Sequence, residues 1–181
     1  MHANLKKYGR IHVLSLLEAS QWKVLLVQLQ ARHTTLCTLE CPHRGSYGNS
    51  EELHDIMLEN SDVVLFPISI TRFEAMKAQK ILLEQGVRVS VIHQVWIKPF
   101  AFEDKWKDLL NDSKYGGIVL DDDYVDGVGS ALAHKMMMES SKKVHVMGLE
   151  DKTAGFYKDV DNLPPTAEKI CQKVHSIISK R

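Results

Sequence analysis

Four times along this chain a short apolar run is followed by a helical pattern, and that alternation constrains the fold more than any other feature. Residues 62–68, Asp-Val-Val-Leu-Phe-Pro-Ile, are continuously apolar after the first and rich in β-branched side chains, as a strand covered on both faces requires. Thr71 stands at an expected N-cap, before a helix whose apolar positions include Phe73, Met76, Ala78 and Leu82 and which Gly86 stops. Residues 87–92 read as the next strand, with Val87, Val89 and Val91 alternating, and Lys98-Pro99 breaks the chain. Phe102, Trp106, Leu109 and Leu110 are spaced i, i+4, i+7 and i+8, one face of a helix. Gly116-Gly117 marks a turn into a strand at 118–120 that ends in Asp121, Asp122 and Asp123. A helix is expected over residues 127–139, with Val128, Ala131, Leu132 and Met136 facing one way, then a strand at 144–146 closing at Gly148. The last helix is expected to open at Pro164-Pro165, with a buried stripe of Ala167, Ile170, Cys171, Val174, Ile177 and Ile178. Strands alternating with helices predict an α/β fold: three layers around a mainly parallel, doubly wound sheet, over residues 51–181.

Residues 1–50 have a different pattern. A long helical pattern covers residues 11–31, residues 35–39 read as a strand, and residues 41–50 form a loop rich in Pro, Gly and Ser. One helix and one strand cannot easily bury a core of their own, so the segment reads as the end of a preceding domain plus a linker. Lys and Arg number 23 and so do Asp and Glu, which leaves no global charge to attract nucleic acid or an anionic membrane. No apolar run approaches the ~20 residues of a membrane span, and residues 1–10 lack the apolar core of a signal peptide. The three cysteines (Cys37, Cys41, Cys171) form no disulfide framework, which fits a reduced, cytoplasmic setting.

Several residue clusters have two readings each. Asp121, Asp122 and Asp123 sit at a strand's carboxyl end, where open α/β sheets bind ligands. They read either as a Mg²⁺ or phosphoacceptor site, as in a receiver domain, or as negative charge serving the next helix N-terminus. Gly127, Gly129 and Ser130 enter a helix from a strand, so their N–H groups form a candidate anion site. Leu132 occupies the third glycine position of a dinucleotide fingerprint, and the alternative use of the glycine pair is tight strand-to-helix packing. His33, Cys37, Cys41 and His43 have zinc-ligating chemistry, but H-x3-C-x3-C-x-H does not group ligands as zinc sites do, and no metal is expected. Met136, Met137 and Met138 offer a soft apolar face for core or subunit contact. No nucleophile elbow, Walker loop or H-E-x-x-H is present, and no catalytic residue is assigned.

The order of these pieces resembles the C-terminal domain of transketolase-like enzymes over about residues 60–178. The residues that carry the resemblance are Ser61-Asp-Val-Val-Leu-Phe, Glu74-Ala75, Gly86-Val-Arg-Val-Ser-Val-Ile, Ile97-Lys-Pro, Gly117-Ile-Val-Leu, Gly127-Val-Gly-Ser-Ala-Leu-Ala-His-Lys-Met and Leu163-Pro-Pro-Thr. The pattern is most similar to the beta subunit of 2-oxoacid dehydrogenase first components, then to deoxyxylulose-phosphate synthase. Glu18-Ala19 and Pro42-His-Arg44-Gly45-Ser46 resemble the end of the pyrimidine-binding domain, and Arg44 matches an arginine that contacts the anionic end of the substrate. The resemblance implies thiamine diphosphate and Mg²⁺ in the complete enzyme. It implies neither in this chain alone, because the G-D-G motif that holds them is missing. It further implies a dimer-organising domain, partnered by a second copy or by a subunit carrying the diphosphate-binding domain, with an acyltransferase core as a further docking partner. The rival expectation is a free-standing, non-catalytic α/β module that binds an anionic ligand or a protein.

Overall fold

Every strand and helix pattern read from residues 51–181 has a counterpart in the structure, a computed structural model that describes residues 13–14, 55–94, 96–98, 100, 102–152 and 162–180. In chain order the elements are β1 (Val13–Leu14), β2 (Val63–Pro67), α1 (Thr71–Glu84), β3 (Val89–Val91), β4 (Trp96–Lys98), α2 (Asp104–Asp112), β5 (Gly117–Tyr124), α3 (Val128–Glu139), β6 (Val144–Leu149) and α4 (Ala167–Ile178). They divide into two compact units: residues 1–54 with 94–101, and residues 55–93 with 102–181. No helix among the described residues is long and apolar enough to cross a membrane.

In the first unit, β1 pairs antiparallel with β4, Val13 opposite Lys98 and Leu14 opposite Trp96. These two residues of β1 are strand rather than the helix expected over 11–31. A ladder partner outweighs the weak helix preference of a β-branched residue such as Val13. The rest of that helical pattern, the strand expected at 35–39, Arg44 and the His33, Cys37, Cys41, His43 set lie outside the described residues.

The second unit is built on a four-stranded sheet in the order β3-β2-β5-β6, every pair parallel. All five residues of β2 are buried, which explains its unbroken apolar sequence: neighbours lie on both sides and helices on both faces. Alternate strand residues serve opposite layers. Val63, Leu65, Val89, Val91, Ile118 and Leu120 meet Ala75, Ala78 and Leu82 of α1 and Ile170, Cys171 and Val174 of α4 in one core cluster. On the other face lie α2, which packs near β2, and α3, which packs on β5 and β6. There Phe66 meets Phe102 edge-on at 6.2 Å, and a Cβ on Gly117 would touch both Phe66 and Leu110.

Element ends differ from expectation in instructive ways. Thr71 is the first residue of α1 and does not cap it; Ile70 holds the N-cap position. The prolines precede α4, whose cap is Thr166, accepting the Lys169 N–H. The Ala167 N–H is bound at 2.9 Å by the Glu74 carboxylate of α1, so the two helices on this face are joined by a charge as well as by their apolar stripes. The α3 stripe is rotated: Gly129, Leu132, Ala133 and Met136 are buried, whereas Val128 is 43% exposed. Close seating at Gly129 sets that rotation. Met136 belongs to the core, and Met137 and Met138 stay exposed.

The end of α1 follows the sequence expectation. Gly86 has φ +79°, its N–H bonds Leu83 O at 3.0 Å, and the Val87 N–H bonds Leu82 O at 2.9 Å, the paired bonds of a Schellman stop. A Cβ on Gly86 would meet nothing within 4 Å, so substitution there costs only backbone strain. Gly86→Ala is expected to lower stability by about 1 kcal/mol, read as a shifted urea midpoint with an unchanged slope.

Candidate functional site at the carboxyl edge of the sheet

From β2 the chain passes to β3 on one side and later to β5 on the other, so the strand order reverses between β2 and β5. A doubly wound sheet holds ligands outside the carboxyl ends at that reversal. Here the place is occupied by the chain's own groups. Ile68 N–H reaches Leu120 O at 2.8 Å, and the Thr71 hydroxyl lies 3.0 Å from the same carbonyl and 2.7 Å from Ile68 O. Together these bonds close β2 onto β5 and turn the chain into α1.

The acidic run lies inside β5 rather than in a loop after it, and so its side chains diverge. Asp121 is 2% exposed. Its Oδ2 accepts the Gly129 N–H of α3 at 2.7 Å, and its Oδ1 accepts Asp123 N–H at 3.2 Å. Burial pushes its carboxyl above the usual range, and those two N–H bonds pull it part of the way back. Asp122 turns to the opposite face, where it accepts the Ser69 hydroxyl and the Ile70 N–H at the start of α1; burial raises it too. Ser69 has φ +54°, a strained conformation for a residue with a Cβ, and its bond to Asp122 helps to hold it. Asp123 is exposed and bonds the Tyr124 N–H at 2.8 Å. Among the described residues no three His, Cys, Asp or Glu side chains gather where they could hold a metal ion.

The three residues expected to cradle an anion come together at the start of α3, each with an internal acceptor. The Gly127 N–H bonds Tyr124 O at 2.9 Å, the Gly129 N–H bonds Asp121, and the Ser130 hydroxyl donates to Val125 O. Asp121 therefore puts a carboxylate where an incoming anion would sit. A Cβ on Gly129 would lie 2.9 Å from Asp121 Oδ2 and 3.3 Å from Val146 Cγ1, so the glycine is needed for close approach.

One further cluster carries no spacing signal in the sequence. His93 follows β3 and is 6% exposed, and neither ring nitrogen has a hydrogen-bond partner among the described residues. Its main-chain N–H bonds Asp55 Oδ1 at 3.0 Å, while Asp55 Oδ2 accepts the Trp106 indole N–H at 3.2 Å. Arg72, in the first turn of α1, is 1% exposed, with its guanidinium 4.9 Å from the Phe73 ring centroid. Burial, with the Arg72 charge adding to it, pushes the His93 pKa down to about 3. The one signal in the sequence was position: a histidine directly after an apolar strand.

With this geometry in view, the chain can be compared with known proteins. The family model for the C-terminal domain of transketolase matches residues 52–161. A solved structure described as split-gene transketolase, an inactive β4 tetramer, superposes with a TM-score of 0.63 at 19% identity, over 94% of this chain and 58% of that one. The 2-oxoglutarate:ferredoxin oxidoreductase of Magnetococcus marinus, with 2-oxoglutarate, coenzyme A and succinyl-CoA bound, superposes with a TM-score of 0.51 at 16% identity, over 98% and 28%. At these identities the superpositions speak to fold, and the chain spans less than two thirds of either neighbour.

Two measurements probe this edge. Asp121→Ala is expected to lose about 1–3 kcal/mol of stability, because it leaves the start of α3 without its carboxylate, whereas Asp123→Ala stays within about 0.5 kcal/mol. For His93, the unfolded chain takes up a proton below about pH 6.5 that the native state refuses down to about pH 3. Its contribution to stability is therefore lost as pH falls through that window, by up to about 1.4 kcal/mol per pH unit, and is constant above it. Asp55, Asp121 and Asp122, whose pKa values are raised, act in the opposite sense. The informative quantity is thus the difference between wild type and His93→Leu, which should widen in favour of the variant from pH 6.5 to pH 4.

Proposed function

Because the chain belongs to the transketolase C-terminal-domain family, we propose that it is the C-terminal, dimer-organising part of a thiamine-diphosphate-dependent enzyme of the transketolase or 2-oxoacid dehydrogenase type, and that it performs no catalysis alone. The observation that carries this reading is the closed carboxyl edge. Where a doubly wound sheet would admit a ligand, Asp121, Asp122 and Thr71 bind the chain's own helix starts and strand ends. Nor do the described residues fit a diphosphate with its Mg²⁺, since the three aspartates diverge and the Gly129 N–H is already bonded. Those groups would come from a partner subunit or from further sequence of the same enzyme, and on this reading Arg44 contacts the anionic end of the substrate. The description of the split-gene neighbour as an inactive β4 tetramer supports both self-association and inactivity of such a part by itself. The exposed Met137 and Met138 on α3 are the contact surface we assign to assembly, whether with a second copy, a catalytic subunit or an acyltransferase core. The rival reading, an anion at Gly127, Gly129 and Ser130, requires the ligand to displace Asp121.

Size-exclusion chromatography with light scattering is expected to show the purified chain larger than one copy, with no thiamine-diphosphate-dependent turnover. Mixing with a chain that carries the G-D-G motif should give a complex and activity. Met138→Asp should weaken assembly at least tenfold while leaving the melting temperature of the chain diluted below its assembly range within about 2 °C, as expected of an exposed side chain. A monomer that stays a monomer on mixing would count against the proposal.

A further inference from the structure

We propose that the outer edge of β6, with the lysines beside it, binds an extended acidic segment of a partner protein, which adds to the sheet as a further strand. The inference is independent of the organising role. It starts from strand order: among the described residues the sheet ends at β6, which has β5 on one side only. The N–H and C=O of one strand residue point the same way, and those of the next point oppositely. Gly117 N–H bonds Lys143 O at 3.1 Å and Val125 N–H bonds Leu149 O at 3.0 Å, so the odd-numbered residues of β6 face β5. Val144, Val146 and Gly148 therefore turn their main-chain groups outward along an edge that no described strand covers. Such an edge is a template for another strand.

The layer of α1 and α4 gives this edge its charge. His145 lies opposite Ile118 and Met147 opposite Leu120, and Ile118 and Leu120 pack in the core that α4 covers. His145 thus points to the α4 side of the sheet, and Lys143, two residues earlier, shares its face. On α4, Ala167, Cys171 and His175 turn to α1. Glu74 holds the Ala167 N–H, Cys171 Sγ lies 3.9 Å from Ala78 O, and His175 Nε2 lies 2.8 Å from Gln85 Oε1. At 3.6 residues per turn, Lys169 and Lys173 stand on the side of the helix away from α1. Because α1 lies over β3 and β2, that side looks toward β6. Burial and the charges of Lys173, Lys143 and Lys180 hold the His145 imidazole below its usual pKa. Among the described residues, none of Lys143, Lys169, Lys173 and Lys180 is ion-paired with a carboxylate. Lys and Arg balance Asp and Glu at 23 each over the whole chain, so the positive patch is local and suits a short acidic stretch. Lysines alone would attract any anion. The row of outward donors and acceptors beside them selects a peptide main chain.

Fluorescence anisotropy tests the site on the full chain, using a labelled peptide of alternating Glu and Thr matched to the six residues of β6. The peptide should bind with a dissociation constant below about 1 mM, and an alternating Lys-Thr peptide should not. Changing Lys173→Glu and Lys180→Glu together should weaken binding by about tenfold or more, since like charges then meet. Lys80→Glu with Lys135→Glu, the same charge change on α1 and α3, should leave it within about twofold. On binding, hydrogen exchange at the Val144, Val146 and Gly148 amides should slow, while His145 and Met147, which face β5, keep their rates. The peptide comparison and the exchange are read on the wild-type chain, so they hold even if the double variant fails to fold. No binding of the acidic peptide, equal binding of the Lys-Thr peptide, or unchanged edge amides would each overturn the proposal. Tighter binding of a single-stranded oligonucleotide or of phosphatidylserine vesicles through the same lysines would overturn it as well.

Discussion

Two adjacent carboxylates at the end of β5 hold the upper edge of this fold together. Because successive strand residues face opposite ways, Asp121 reaches the start of α3 on one side of the sheet and Asp122 reaches the start of α1 on the other. One strand thereby supplies negative charge to two helix N-termini, where unbonded N–H groups and the helix dipole both favour it. The close seating of α3 at Gly129 and the strained Ser69 turn both depend on these bonds. The same bonds occupy the position at which a sheet of this topology otherwise receives a ligand.

The sheet itself was plain in the sequence for a physical reason. A parallel strand buried on both faces must be apolar throughout, and residues 63–66 could hardly sit anywhere else. Helix ends were legible where a single residue controls backbone geometry, as at Gly86, and less so where a hydroxyl has a choice. Thr71 had a near strand carbonyl to bond and Thr166 had a free helix end, and spacing along the chain cannot tell the two apart. The buried stripe of α3 lies one step from the expected face because Gly129, readable from sequence as a phosphate cradle or as a tight packing point, is the packing contact.

The acidic run illustrates a more general limit. Three consecutive aspartates read as one cluster when the segment is taken for a loop, and as three separate groups once it is strand, since pleating sends the first two apart. Their convergence was never a property of the sequence alone. His93 is obscure in the sequence for the opposite reason: nothing in its neighbours distinguishes it, and only the fold buries it at the end of β3. Candidate sites made of local spacing are legible early. Those made of strand order are not.

The bond from Glu74 to the Ala167 N–H joins positions 93 residues apart, and Ile170, Cys171 and Val174 of α4 complete the core on that side of the sheet. During synthesis, therefore, the strands and α1 emerge from the ribosome well before the helix that covers them. At ordinary elongation rates of about 5–20 residues per second, Val63, Leu65 and Ala78 wait several seconds or more with one wall of their core absent. Until then the apolar face that α4 covers stays open to solvent. That wall of the core is complete only when α4 docks, through the same few contacts that seal the finished sheet.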